Sequence, residues 1–118
     1  MIQHIFKCTG FTIPLPGRYQ LEIWWCPRGA EIPVHVHLNV SSWIWMVAGR
    51  MRWIVNHKER EVSGPLRHRN SNHHLALSAY KVPPRMPHGA TVTGLFGLFI
   101  NFERWNGPKA SAATDIVW

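Results

Sequence analysis

Eight histidines stand in a chain of 118 residues, and neutral imidazole is the commonest metal ligand among side chains. Two of them form His35-Val36-His37. On a β-strand, residues two apart share a face with Cα atoms ~6–7 Å apart, so two such rings can converge on one ion. A chain this rich in His carries roughly half such a pair by chance, and the pair therefore informs only through its surroundings. His68, His73 and His74 read as polar loop or strand-end residues. Adjacent side chains on a strand point to opposite faces, which makes a second metal site there unfavourable. Cys8 and Cys26 are the only cysteines and form no CxxC, so there is no disulfide framework and a reducing compartment is expected.

The elements that must position these histidines are read from periodicity. Nine Gly and nine Pro punctuate short runs rich in Val, Ile, Trp, Phe and Thr, and helical spacing is nearly absent, as in an all-β domain. Strands are expected at Ile2–Cys8, Phe11–Leu15, Arg18–Cys26, Glu31–Leu38, Val40–Val47, Arg50–Asn56 and His57–Val62, with Gly49 breaking the longest run. Further strands are expected at Leu66–Arg69, His74–Lys81, His88–Thr93 and Leu95–Glu103. This many short strands with regular turn signals argue for one sandwich or barrel over residues 1–105. Residues 106–118 read as a C-terminal extension, with Trp118 placed to dock on the body or on a neighbouring subunit.

The 13.6 kDa chain carries 46 % hydrophobic residues, enough for one core and too few residues for two-domain catalytic machinery. No apolar run approaches the ~20 residues that span a bilayer. The segment Met1-Ile2-Gln3-His4-Ile5 lacks the pattern of a signal peptide, so a cytoplasmic protein without membrane attachment is expected. The formal charge of +7 is compatible with nucleic acid as a partner, but no recognition motif accompanies it. The basic stretch from Arg50 to Arg69 reads as a solvated face.

The context of the histidine pair resembles the first motif of the cupin superfamily, small double-stranded β-helix (jelly-roll) barrels. That pattern is Gly, five residues, HxH, three or four residues, Glu, six residues, Gly. Gly29, His35, His37 and Gly49 stand at matching places, and Pro83-Pro84-Arg85-Met86-Pro87-His88 is similar to the second motif, PxGxxH. The resemblance covers roughly residues 18–103 and implies a divalent metal (Fe, Zn, Mn or Ni) on His35, His37 and His88. Two departures are plain: Ser42 stands in the Glu position, and Arg85 replaces the second-motif Gly. Glu22, Glu31 or Ser42 itself are candidates to stand in for the missing ligand.

Three neutral ligands leave a metal with its full charge and open positions, which favours an anionic ligand. Alternation puts Ile44, Met46 and Ala48 on the inner face with Ser42, and Trp43, Trp45 and Val47 outside. Ile44, Met46 and Val92 are therefore candidate lining for a substrate, and Arg85 a candidate anion contact. The outer Trp43 and Trp45, with Trp24 or Trp25, would expose an aromatic patch that monomers rarely show, and a homodimer is expected to cover it. The expected function is small-molecule chemistry in the barrel, most concretely that of a three-His non-haem iron dioxygenase-like enzyme. Isomerase or lyase activity fits the same ligands. The alternative is a non-catalytic cupin that binds an anionic small molecule or sugar.

Overall fold

The computed structural model describes residues 2–64, 80–107 and 115–118, with Gln3 and Ile5 described by backbone alone. The expected strand Leu66–Arg69, most of His74–Lys81, and His68, His73 and His74 lie outside the described residues. Within them the chain forms nine strands: β1 (Ile2–Ile5), β2 (Cys8–Pro14), β3 (Tyr19–Pro27), β4 (Glu31–His37), β5 (Val40–Val55), β6 (Lys58–Ser63), β7 (Tyr80–Val82), β8 (His88–Trp105) and β9 (Ile116–Val117). All pairings are antiparallel, and together they make one curled sheet. The architecture is all-β, a double-stranded β-helix. No helix among the described residues is long and apolar enough to cross a membrane.

The long strand β8 organises the barrel. On one side it pairs with β5 along nearly its whole length, from Val55 opposite His88 to Val40 opposite Trp105. On the other it pairs first with β4, where His88 lies opposite His35, and then with β3 from Phe96 to Arg104. The two strands expected at 88–93 and 95–103 are thus one continuous element. So are those expected at 40–47 and 50–56.

Gly49 bends β5 without ending it. Its φ of +78° lies in the left-handed region, and a Cβ there would run into the Phe96 carbonyl oxygen, so only glycine fits without strain. The ladder to β8 shifts register on both sides of this point, as at a β-bulge. Ser42, Ile44, Met46 and Ala48 face inward before the bend, and Met51 and Trp53 after it. The core that results is built from Cys26, Met51, Trp53, Val82, Val92 and Phe99 with their neighbours. Trp53 meets the Phe99 ring edge-on at 5.0 Å between centroids. Truncating a buried aromatic of this kind costs ~3–5 kcal/mol.

The expected strand Ile2–Cys8 is interrupted. Phe6 and Lys7 take φ of 48° and 69°, a pair of left-handed residues that joins β1 to β2 as a two-residue hairpin turn. Asn-Gly usually announces such turns, and Phe-Lys carries no such signal. Asn56 and His57, with φ of 50° and 66°, turn β5 into β6 in the same way.

Candidate metal centre

The three histidines named from sequence meet at one place. His35 and His37 alternate inward on β4, and His88 opens β8 directly across from His35. Two local features bring β4 so close. Pro33, which has no N–H for the ladder, sits where the pairing of β4 with β8 slips register between Ile32 and His35. Gly89 offers no Cβ where one would lie 2.8 Å from the Ile32 carbonyl oxygen. The ring centroids are 4.3 Å apart for His35 and His88, 5.2 Å for His35 and His37, and 5.4 Å for His37 and His88.

Hydrogen bonds fix the tautomers. His35 Nδ1 lies 2.7 Å from the Pro33 carbonyl oxygen and His88 Nδ1 lies 3.0 Å from that of Met86. A carbonyl only accepts, so each Nδ1 carries the proton and donates, which leaves the Nε2 lone pair free. His37 Nδ1 has no hydrogen-bond partner; it faces the Asp115 carboxylate at 3.9 Å, the outer partner a ligating histidine usually has. Burial, followed by repulsion from the neighbouring rings, lowers the pKa of His37 to about 4 and of His88 to about 3. Burial also lowers that of His35. All three are therefore neutral near pH 7, the form that binds metal.

One ligand nitrogen from each ring lies within 4.8 Å of the other two, and among the described residues no carboxylate joins the group. Three nitrogens bound tetrahedrally to one ion at ~2.0–2.1 Å lie ~3.4 Å apart, so the rings would close by roughly an ångström to hold it. The donor set fits a divalent ion.

The rings open on a cavity of about 70 Å³, lined also by Cys8, Glu22, Trp24, Ile44, Phe99, Asn101 and Trp118. The last residues of the chain close one side of it. β9 pairs with β4, His37 opposite Ile116 and Val36 opposite Val117. Trp118 lays its ring 4.9 Å from that of His35 and 5.1 Å from that of Phe6. Asp115 anchors the segment by accepting from the Asn39 backbone N–H and from Asn39 Nδ2 at 2.9 Å.

The other residues named from sequence fall in different places. Ile44 lines the cavity; Met46 and Val92 are buried in the core but do not reach it. Arg85 is exposed, with φ of 66° at the position of the motif Gly, and its backbone N–H donates to the His37 carbonyl oxygen at 2.6 Å. Its contact with the site runs through the backbone. Glu31 is exposed on β4. Glu22 is buried and lines the cavity outside the ligand group. Ser42 is buried and donates to Glu103 Oε2 at 3.5 Å. Of the tryptophans, Trp24 faces the cavity while Trp25 is 45 % exposed and stacks on Phe96.

Comparison with solved structures decides the architecture's relatives. The chain superposes on the KdgF structure from Halomonas sp. with a TM-score of 0.73 at 16 % identity, covering 96 % of this chain and 90 % of that one. An RmlC-like cupin from Shewanella frigidimarina matches at TM-score 0.69 and 19 % identity, covering 88 % and 82 %. The chain has the cupin fold. A third structure, titled a predicted oxalate decarboxylase from Thermotoga maritima, matches at TM-score 0.69 and 10 % identity, covering 88 % and 91 %. No protein-family model matches the sequence of this cupin barrel, and no curated protein matches it in sequence.

Besides Asp115, sequence reasoning missed three buried polar residues of the cupin barrel's interior: Gln20, Asn101 and Glu103. Strand parity could have found them, since Gln20 shares the face of Glu22, and Asn101 and Glu103 that of Phe99. Their pairing across strands was not legible without the fold.

Proposed function

We propose that His35, His37 and His88 hold a divalent metal ion and that the chain binds or transforms a small anionic molecule in the adjoining cavity. The observation that carries this reading is the convergence of three buried, neutral imidazoles, two with Nδ1 committed to a backbone carbonyl. Three such rings without an ion would leave acceptor nitrogens desolvated for no return. The most concrete version is a dioxygenase-type oxidation with iron, which when bound supplies a redox centre and Lewis acidity. The chain's own residues supply the rest. Trp24, Ile44, Phe99 and Trp118 exclude water, and Asp115 orients His37. The cavity admits only a small substrate or one end of a larger one. The structural neighbour titled a predicted oxalate decarboxylase supports small-molecule chemistry in such a barrel.

The test is elemental analysis of the wild type beside His35→Ala and His88→Ala, with circular dichroism as the folding control. We expect near-stoichiometric metal in the wild type and at least a tenfold loss in each folded variant. Equal metal in all three would end the reading. Adding the metal at 100 times its dissociation constant should also stabilise the wild type by ~2.7 kcal/mol. Oxygen uptake by the iron-loaded protein across thiols, diketones and phenols then separates a dioxygenase from a binding module. The outer sheet face, with Trp25 and Phe96 stacked on it, supports a homodimer as the assembled form.

A further inference from the structure

The cavity has a second, polar end that the metal reading leaves unused. Three rows of inward side chains cross the sheet from β3 through β8 to β5. Trp24, Phe99 and Met46 form one; Glu22, Asn101 and Ile44 the next; Gln20, Glu103 and Ser42 the third. The middle row reaches the cavity through Glu22, Asn101 and Ile44. Glu22 Oε1 accepts from the Trp24 indole N–H at 3.2 Å and from Asn101 Nδ2 at 3.4 Å, and Glu22 Oε2 accepts from the Thr12 hydroxyl at 3.3 Å. Behind it, Glu103 is fully buried and accepts from Gln20 Nε2 at 2.7 Å. Gln20 is itself held by the Trp105 indole N–H at 3.2 Å.

Two features make this arrangement a binding end and not only a satisfied core network. First, Asn101 is 8 % exposed, lines the cavity, and its Oδ1 has no hydrogen-bond partner. Its orientation follows from the carboxylate, which requires the NH₂ to face Glu22 and so turns the oxygen away. A buried acceptor left unpaired costs ~1–3 kcal/mol, which a donor group on a ligand would recover. Second, Glu103 is held well above the usual carboxylate range, first by burial and then by the charge of Glu22, and hydrogen-bonds to Glu22. Of the two carboxyl groups, it is Glu22 that lines the cavity.

We propose that Asn101 and Glu22 form a hydroxyl-binding end opposite the three imidazoles, and that the ligand is a small hydroxy acid. Its anionic oxygen lies toward the histidines and its hydroxyl donates to Asn101 Oδ1 or Glu22. This deepens the metal reading and rests on it for the anionic end alone. The hydroxyl end stands on Asn101 and the carboxyl pair.

The experiment has two arms. In the metal-free full chain, the Trp24 indole and Asn101 side-chain amide signals are followed by NMR during titration with 1,3-propanediol, a neutral donor that needs no metal. Both signals should shift saturably in the wild type, and the Trp24 signal should stay fixed in Asn101→Leu. In cobalt-loaded protein, 3-hydroxypropionate and propionate are compared by their effect on the visible spectrum of the metal. The hydroxy acid should bind about tenfold more tightly in the wild type, and the ratio should fall toward one in Asn101→Leu and several-fold in the near-isosteric Glu22→Gln. A ratio unchanged in both variants would mean that the metal alone reads the hydroxyl, and would overturn the proposal, as would an absence of diol shifts. Failure to load cobalt with the diol shifts intact would instead overturn the metal reading and leave the hydroxyl end standing.

Discussion

Glu103 is the residue whose chemistry departs furthest from its ordinary behaviour. Burial and the neighbouring Glu22 raise its pKa well above the usual carboxylate range. Below pH ~4.5 both folded and unfolded chains hold this proton, and its contribution to stability is complete. Above that, the unfolded chain releases the proton while the folded one keeps it, so stability falls with rising pH until the folded value is passed. Glu103→Gln mimics the neutral acid and removes this dependence. Chemical denaturation across pH 4.5–8 should show the wild type losing ground to Glu103→Gln by up to ~1.4 kcal/mol per pH unit. A pH-independent difference would show that Glu103 ionises normally. Arg85 shows the opposite lesson. A non-glycine residue at φ of 66° is strained, and what holds it there is the short bond from its N–H to the His37 carbonyl.

Among the described elements, β9 is the shortest, and it lies against the strand that carries His35 and His37. Its two residues pair with the end of β4 that carries His37, and Asp115 before it faces His37 Nδ1 at 3.9 Å. When His37 ligates a metal through Nε2, the proton on Nδ1 gains from that charge, and outer partners of this kind contribute ~10–100-fold in metal affinity. Asp115→Asn keeps the shape and removes the charge. Competition with a chelator should show its metal affinity falling at least tenfold with the fold intact. An unchanged affinity would reduce Asp115 to an anchor for the strand. The bend in β5 is the other decisive element. Without the bulge at Gly49 the inward parity of Ser42, Ile44 and Met46 would carry Met51 and Trp53 to the solvent side.

At the level of the whole barrel, an apolar core with a polar row beside it is matched by an apolar exterior on one side. Phe11 and Trp25 are 47 % and 45 % exposed on the outer face of β2 and β3, and Trp43 and Tyr19 pack against Phe102 on the same face. A second copy of the chain presenting the same face would bury this surface, as a two-fold interface requires. Light scattering should therefore give a mass twice 13.6 kDa, and Trp25→Glu should shift it to the monomer. A wild-type chain that scatters as a monomer at high micromolar concentration contradicts this assembly.

Much of this protein was readable residue by residue. Alternation along a strand has a period of two whatever the fold, so the shared face of His35 and His37 and the inward set Ser42, Ile44 and Met46 followed from local order alone. The second-motif resemblance added His88. What local order cannot carry is which strands lie side by side, because pairing depends on contacts made across the chain. Gln20 meets Glu103 across 83 residues and Asn101 meets Glu22 across 79, so the polar end of the cavity exists only once β8 lies between β3 and β5. The turn at Phe6-Lys7 and the uninterrupted run of β5 through Gly49 belong to the same class. In each, closure of the barrel overrode local preference, since the burial gained by the whole sheet exceeds the strain at a few backbone angles.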